Sequence, residues 1–207
     1  MNLLEINSIK SALCDPILLS SNTEGGTRRA AVATILRKRE DEMEALFILR
    51  AIKEGDPWSG QMAFPGGHLE LKDESLRHAA ERETYEEIGL DLQKYANYLG
   101  PVNEVRANPR GQNLDMIVSP FVYILRDQEV KLNLNYEVAD VLWGSLNHMY
   151  HGISATELEF NLQGSNQRFP GYSVGSQVVW GLTRSMLHHL FTMINPDWMP
   201  SDDVGEA

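Results

Sequence analysis

The segment from Phe64 to Leu90, FPGGHLELKDESLRHAAERETYEEIGL, decides how this chain folds. It opens with a Pro-Gly-Gly turn signal, and a short polar loop follows. A helical run then continues to the end of the segment, with Asp73 as the expected N-cap and Gly89 as the C-terminal stop. The segment therefore predicts a tight turn, a loop and one helix in direct succession.

Three glutamates of this helix, Glu83, Glu86 and Glu87, stand at i, i+3 and i+4 and therefore share one face. Arg82 falls on a different face. Counting about 100° per residue, the glutamate face also carries three apolar residues: Leu76, Ala79 and Ala80. Like charges at i and i+4 disfavour an isolated helix by roughly 0.2–0.5 kcal/mol, and partial burial raises that cost. Mg²⁺ or Mn²⁺, which prefer oxygen ligands, would remove the conflict. The alternative is a solvated acidic face.

Gly67 and the run RETYEEIGL at Arg82–Leu90 resemble the Nudix box, in which a glycine and an acid precede R-E-U-x-E-E-x-G-U, with U aliphatic. Thr84 departs from this pattern at an aliphatic position. Gly67 also lies one residue farther from the arginine than in the commonest form. Glu74 keeps the usual distance to the arginine, so we expect the extra residue in the loop. Similar insertions occur in the coenzyme A pyrophosphatase branch of the family.

The resemblance implies an α/β fold, a Nudix-like α/β/α sandwich with a mixed β-sheet and the Nudix loop–helix. It also implies hydrolysis of a nucleoside diphosphate-linked small molecule with Mg²⁺ or Mn²⁺ as cofactor. Position by position, it makes Glu83, Glu86, Glu87 and Arg82 the catalytic candidates. The same three glutamates and the Gly67 carbonyl are the metal candidates. Which glutamate is the general base stays open, with Glu83 the first choice, and Arg82 can pair with Glu86 at i, i+4.

Acids outside this motif can complete such a site. Glu74 is expected to have a supporting role. Glu137, in the run NYEVADVLW, is the leading candidate for an additional ligand, and Glu104 is the second. For both residues, an ordinary surface carboxylate is the alternative interpretation.

The upstream run FILRAIKEGDPWSGQMAFPGG resembles the coenzyme A pyrophosphatase signature. Gly60 and Phe64 keep its spacing and Arg50 matches its first arginine, but Asp56 stands where a second arginine is usual. The run YSVGSQVVWGLTRSML, near the C-terminus, resembles the same branch. The expected substrate is coenzyme A or a derivative, cleaved to 3′,5′-ADP and 4′-phosphopantetheine. Alternatives are ADP-ribose, NADH or another nucleoside diphosphate derivative, or a Nudix-fold nucleotide binder without catalysis.

Coenzyme A carries a 3′-phosphate, which needs a basic contact in a chain whose net charge is −11. Four cations at predicted strand or loop ends are candidates for substrate binding: Arg50, Lys53, Arg106 and Arg110. Arginine is the better phosphate ligand because its planar group can bind bidentately.

The 207 residues suffice for one domain, and 43% hydrophobic with 23% charged residues is an ordinary globular composition. The net acidity argues against nucleic-acid and membrane-surface binding. Cys14 is the sole cysteine, and no signal peptide or membrane span is expected, so cytoplasm is the expected location. We divide the chain into an N-terminal helix and loop (1–26), a hydrolase domain (27–195) and an acidic tail (196–207). Homodimerisation stays open.

Hydrophobic periodicity predicts the remaining elements. Helices are expected at 2–13 and 176–194, the second with Val179 on its apolar stripe. Strands are expected at 30–36 and 45–52 as a hairpin, at 99–105, at 116–125 with an interruption at Pro120, and over part of 138–143. The segment 153–162 is ambiguous between helix and strand.

Overall fold

A computed structural model describes residues 4–13, 27–56, 58–107, 115–162 and 165–201. Cys14 and Arg110 lie outside the described residues. The helices, in chain order, are α1 (Ile6–Ala12), α2 (Leu76–Ile88), α3 (Leu92–Tyr95), α4 (Leu146–Tyr150) and α5 (Gly181–Ile194). The strands are β1 (Arg28–Arg39), β2 (Glu42–Arg50), β3 (Met62–Ala63), β4 (Gly66–His68), β5 (Ala96–Pro101), β6 (Val105–Ala107), β7 (Met116–Leu125), β8 (Val138–Ser145), β9 (Ala155–Leu162), β10 (Ser165–Val174) and β11 (Gln177–Trp180).

The main sheet is mixed, as the sequence predicts. Its central path runs β3-β2-β1-β7-β5, while β4 pairs with β1, β6 with β7, and β8 with β2. β1 and β7 are parallel, and the other pairings are antiparallel. The predicted hairpin is confirmed by the antiparallel pairing of β1 with β2. A separate three-stranded sheet has the order β11-β10-β9, so the ambiguous segment 153–162 contributes a strand.

Alternate residues of β1 face two different cores, as expected for a strand covered on both sides. Ala31, Ala33 and Ile35 pack with Ala79 and Ala80 of α2. The neighbouring residues of β1 face a second core, to which α1 and α5 contribute Ile9, Met186, Leu187, Leu190 and Phe191. The sheet thus lies between helices, which confirms the predicted sandwich.

The predicted N-cap of α2 is wrong by two residues. Ser75 occupies that position and its hydroxyl accepts a hydrogen bond from the His78 backbone N–H at 3.1 Å. Gly89 ends the helix as predicted, with φ 68°. A serine hydroxyl caps a helix as well as a carboxylate does, and this leaves the carboxylate of Asp73 available to a different partner.

The predicted interruption at Pro120 is also wrong, because β7 runs unbroken past it. On one side β6 pairs with the start of β7, up to Val118, and β5 pairs with its end from Phe121 onward. Pro120 lies where β7 changes partner, and its carbonyl accepts from the Val102 N–H at 2.9 Å. The missing N–H of proline therefore costs no ladder hydrogen bond there. The strand expected at 99–105 is correspondingly divided between β5 and β6.

The helix expected at 176–194 begins too early. Gln177–Trp180 forms β11, so Val179 belongs to a strand, and α5 begins at Gly181. Two consecutive valines and a tryptophan favour a strand over a helix. The backbone of Gly181 has φ +57°, which separates the strand from the helix at little cost for glycine.

None of the described helices has both the length and the apolar composition needed to cross a bilayer. Helix α1 and the residues that flank it pack on the domain through Leu4, Ile9 and Leu13. Trp198 is buried in the same hydrophobic core. The three-part division of the chain stays a prediction.

Candidate active site

The Pro-Gly-Gly turn brings β4 and α2 into close contact. Gly66 and Gly67 pair with Val32 and Ala31 of β1. Gly66 has φ 152°, and a Cβ there would overlap the backbone of β1. A Cβ on Gly67 would lie 2.5 Å from the carboxylate carbon of Glu83. Gly66 is therefore required for the close pairing of β4 with β1, and Gly67 for the close approach of the acid-bearing helix to β4.

Glu87 is the most buried acid of the helix, with only 3% of its surface exposed. Its carboxylate accepts a hydrogen bond from the Gly66 N–H at 2.9 Å. Burial raises the pKa of Glu87 to about 8, against the opposing effects of that hydrogen bond and of the Arg50 charge, while the charges of Glu83 and Glu137 raise it further. A carboxylate held at this position would be stabilised by a nearby cation.

Glu83 is partly buried and Glu86 is not. The side chain of Glu83 is 16% exposed, and burial raises its pKa even though Arg82 acts in the opposite direction. The side chain of Glu86 is 48% exposed. Helical spacing puts all three acids on the face that carries Leu76, Ala79 and Ala80, and this predicts that they turn toward the protein. That prediction is wrong for Glu86, which lies at the rim of the site because it is displaced around the helix from Glu83 and Glu87.

Arg82 ties these acids to the loop. Its guanidinium donates to Glu83 at 2.8 Å and to Glu86 at 3.3 Å, so the predicted pair with Glu86 is confirmed. It also donates to the His68 carbonyl at 3.1 Å. The helical wheel placed Arg82 apart from the acids, yet its side chain is only 10% exposed because its length lets it fold over them.

Asp73 is a site residue that sequence reasoning missed. Its carboxylate receives two hydrogen bonds from Arg82, at 2.9 and 3.0 Å, and one from the Glu70 N–H at 2.8 Å. The side chain is fully buried, and the hydrogen bonds from Arg82 hold its pKa below the usual value despite burial. Glu74, the predicted supporting acid, is exposed and its backbone N–H donates to His78. Counting forward from the glycine, rather than back from the arginine, would have selected Asp73.

The structure separates the two candidates for an additional acid. Glu137 lies near Glu87, whose carboxyl it influences electrostatically, and its own carboxylate is 3.9 Å from the Lys53 ammonium. Glu104 instead pairs with Arg29 and accepts a hydrogen bond from the Ser119 hydroxyl at 2.6 Å. Glu137 is therefore brought to the acid cluster, whereas Glu104 belongs to a distinct buried polar group.

The predicted phosphate-binding cations are dispersed. The positive charge of Arg50 lowers the pKa of Glu87, against the larger effect of burial. The Arg50 guanidinium also donates a hydrogen bond to Asp56 at 2.6 Å. Burial favours protonation of Asp56, yet Arg50 and the Trp58 N–H hold its pKa below the usual value. Lys53 has a 66% exposed side chain. Arg106 is also exposed and donates two hydrogen bonds to the Asp115 carboxylate.

A further pair of basic residues, Arg28 and His68, was not predicted. Arg28 is exposed at the start of β1, and His68 directly follows Gly67. Burial lowers the pKa of His68, and the positive charges of Arg28 and Arg50 lower it further. The sequence does not reveal that these two residues lie on neighbouring strands, because that depends on the register of β1 and β4.

The acid cluster supplies few protein ligands for a divalent cation. Within the described part of the chain, no three acidic, histidine or cysteine side chains converge into a ready-made metal cage. What comes together is the pair of carboxylates of Glu83 and Glu87 beside the backbone of Gly67. Mg²⁺ typically takes one or two carboxylates and leaves its other positions to substrate phosphates and water. The donor set therefore fits Mg²⁺ or Mn²⁺ bound together with an anionic substrate.

Comparisons with known proteins point to one family. The family model of the NUDIX domain matches residues 27–161. An uncharacterized Nudix hydrolase, NudL, from Photorhabdus laumondii is 31% identical over 133 residues, which cover 64% of this chain and 67% of that protein. An uncharacterized protein from Schizosaccharomyces pombe is 29% identical over 221 residues, covering 82% of this chain and 67% of its own length.

Among solved structures, a MutT/nudix family protein from Enterococcus faecalis aligns with a TM-score of 0.57 and 15% identity, covering 84% of this chain and 64% of that chain. At this identity the likeness bears on the fold alone. It agrees with the mixed sheet and flanking helices described above.

Proposed function

The chain belongs to the Nudix hydrolase family, and from this premise we propose that it cleaves coenzyme A or a derivative to 3′,5′-ADP and 4′-phosphopantetheine. The broader activity, hydrolysis of a nucleoside diphosphate-linked substrate, is that of the family. The observation that supports the chemistry is the placement of Glu83 and Glu87 against the Gly-Gly turn, with Arg82 hydrogen-bonded to Glu83.

Glu83 and Glu87 would hold Mg²⁺ or Mn²⁺ together with the Gly67 carbonyl, and Glu86 would contribute from the rim. A bound divalent cation would withdraw charge from the diphosphate and lower the pKa of water at the site. Glu83 is our first choice as the base that accepts a proton from the attacking water. This role needs a carboxylate within hydrogen-bond reach of that water. Arg82 fixes the orientation of Glu83 through its 2.8 Å hydrogen bond.

Support for coenzyme A comes from the spacing of Gly60 and Phe64 before the turn, and from Arg50, which matches the first arginine of the signature and lies within electrostatic reach of Glu87. We propose Arg50, Lys53, Arg106 and Arg110 as substrate contacts. One observation favours a less charged substrate such as ADP-ribose or NADH: Asp56 neutralises Arg50 where the signature has a second arginine. A non-catalytic binder is the remaining alternative, and the retained acids argue against it.

Mass spectrometry of the products from coenzyme A, ADP-ribose, NADH and diadenosine polyphosphates, each with Mg²⁺ or Mn²⁺, tests the proposal. Higher kcat/KM for coenzyme A than for ADP-ribose supports it, and the reverse order refutes the substrate while leaving the hydrolase. Tight binding in calorimetry without any product would favour the binder.

The site itself is tested by Glu86→Gln and Glu87→Gln, which keep size but remove charge. We expect kcat to fall by ~10²-fold or more in each, the lower range for acid–base roles. Unchanged turnover in both variants would refute the assignment. Cytoplasmic location and homodimerisation stay predictions.

A further inference from the structure

We propose that Lys72 is a phosphate-binding residue of the candidate active site. It pairs with Glu86 in the metal-free protein and turns to the diphosphate of the substrate once a divalent cation is bound by the acids. This role rests on the proposed function only in taking the acids as a cation site for a diphosphate, and it does not require that the substrate be coenzyme A.

Lys72 lies in the loop between β4 and α2, on a tight turn formed by residues 70–73. The Asp73 N–H donates to the Glu70 carbonyl at 3.0 Å, and the Glu70 N–H donates to the Asp73 carboxylate at 2.8 Å. The side chain of Asp73 is fully buried and accepts two hydrogen bonds from Arg82, at 2.9 and 3.0 Å. The turn that carries Lys72 is therefore fixed to the helix that carries the acids.

From this turn the Lys72 ammonium lies 3.6 Å from one carboxylate oxygen of Glu86 and 3.2 Å from one of Glu70. Arg82 also contacts Glu86, at 3.3 Å, but its side chain is 10% exposed and is held by its hydrogen bonds to Asp73. The side chain of Lys72 is 56% exposed, and exposed ion pairs of this kind contribute little to stability. Since lysine also has a flexible stem, Lys72 can leave Glu86 at little cost whereas Arg82 cannot.

The charges around Lys72 favour binding of a cation first and of a phosphate second. Lys72 and Arg82 contact four carboxylates, those of Glu70, Asp73, Glu83 and Glu86. When all four are ionised, this group has a net charge of −2, which one divalent cation would balance. Such a cation would repel the Lys72 ammonium, because both are attracted to the same acids.

A bound diphosphate reverses this effect. Mg²⁺ typically leaves several of its positions to substrate phosphates and water, so the diphosphate brings negative charge to the place that Lys72 faces. Its oxygens then offer the ammonium new acceptors for charge-assisted hydrogen bonds. Lys72 should therefore oppose binding of the cation alone and favour binding of the diphosphate that follows it. A lysine that only stabilises the loop would not have these two opposite effects.

The test measures two affinities in wild type, Lys72→Ala, Lys72→Arg and Lys38→Ala. The affinity for Mn²⁺ alone is measured from the electron paramagnetic resonance signal of free Mn²⁺. The affinity for adenosine 5′-(α,β-methylene)diphosphate, whose methylene group resists hydrolysis, is measured by calorimetry at saturating Mn²⁺. Lys38 is the matched control, since it is an exposed lysine of β1 beyond the residues that pair with β4. Thermal melting of each variant confirms that it is folded.

We expect Lys72→Ala to bind Mn²⁺ roughly 3–10-fold more tightly than wild type and the diphosphate analogue roughly 3–10-fold more weakly, because a competing charge and a phosphate contact are both removed. Lys72→Arg should bind the analogue within about threefold of wild type, since a guanidinium also binds phosphate. Lys38→Ala should match wild type in both affinities.

Any result for Lys72→Ala other than these two opposite changes, or the same changes in Lys38→Ala, would overturn the proposal. Absence of Mn²⁺ binding in wild type would refute the cation site of the proposed function, and the role of Lys72 with it. Normal binding of both ligands by wild type, with Lys72→Ala unchanged, would refute the role of Lys72 alone.

Discussion

Removing the charge of Glu87 should change how the stability of the metal-free protein depends on pH. Burial raises the pKa of this carboxyl from the ordinary 4.5 to about 8 in the folded chain. The folded state therefore binds more protons than the unfolded state between these two values, and stability is lost as pH rises through them. The full contribution is present only below pH 4.5.

The size of the effect follows from ~1.4 kcal/mol per pH unit for one proton, which bounds the loss from pH 4.5 to 8 at roughly 5 kcal/mol. That is a large share of the ~5–15 kcal/mol stability of a typical protein. In Glu87→Gln the amide oxygen can still accept from the Gly66 N–H, and no proton is exchanged. We therefore expect this variant to be more stable than wild type at pH 8 and to show a flatter pH dependence.

Urea unfolding between pH 5 and 8, with EDTA present, measures this difference. Glu74→Gln serves as control because its carboxylate is exposed on the same loop–helix unit. Adding Mg²⁺ should stabilise wild type at pH 8 but not Glu87→Gln, because a ligand that binds only the folded state raises its stability. Parallel pH profiles for wild type and Glu87→Gln would refute the reasoning that burial dominates this carboxyl.

Three further variants test the architecture around the site. Asp73→Asn weakens two charge-assisted hydrogen bonds, so it should lower the free energy of unfolding in urea by ~1–3 kcal/mol and also lower kcat. The control Glu74→Gln should change neither quantity. Equal effects of the two substitutions would contradict the assignment of Asp73. Gly67→Ala should lower turnover at least tenfold, since its methyl would displace the Glu83 carboxylate, and normal kinetics would show that the close approach is dispensable. Trp198→Ala should cost ~3–5 kcal/mol by calorimetric melting, as for a buried tryptophan, and a change below ~1 kcal/mol would place this residue in a loose tail.

The sequence predicts the elements whose pattern is local. The strand at Met116–Leu125 and the end of α2 at Gly89 are correct because apolar residues and a stop signal specify them without reference to distant contacts. The Nudix box places Glu83 and Glu87 on the inner face of α2 for the same reason. These positions follow from helical geometry and a single glycine turn.

What the sequence does not predict depends on partners far along the chain. Pro120 is tolerated in β7 only because two different strands meet on either side of it. Asp73, rather than the predicted supporting acid Glu74, contacts the site because its carboxylate accepts two hydrogen bonds from Arg82 across the loop. Arg28 comes beside His68 only through the pairing of β1 with β4. A single sequence contains no signal for such registers.

The parallel pairing of β1 with β7 joins residues 88 positions apart, from Arg28 with Met116 onward. At a synthesis rate of ~5–20 residues per second, β1 would wait about 4–18 s for its central neighbour to be made. Helix α2 can form in microseconds, so the helix that carries the acids can be in place well before the sheet beneath it is complete. During that interval its apolar side is uncovered, which makes the nascent chain dependent on slow, long-range strand closure and gives chaperones a defined period in which to act.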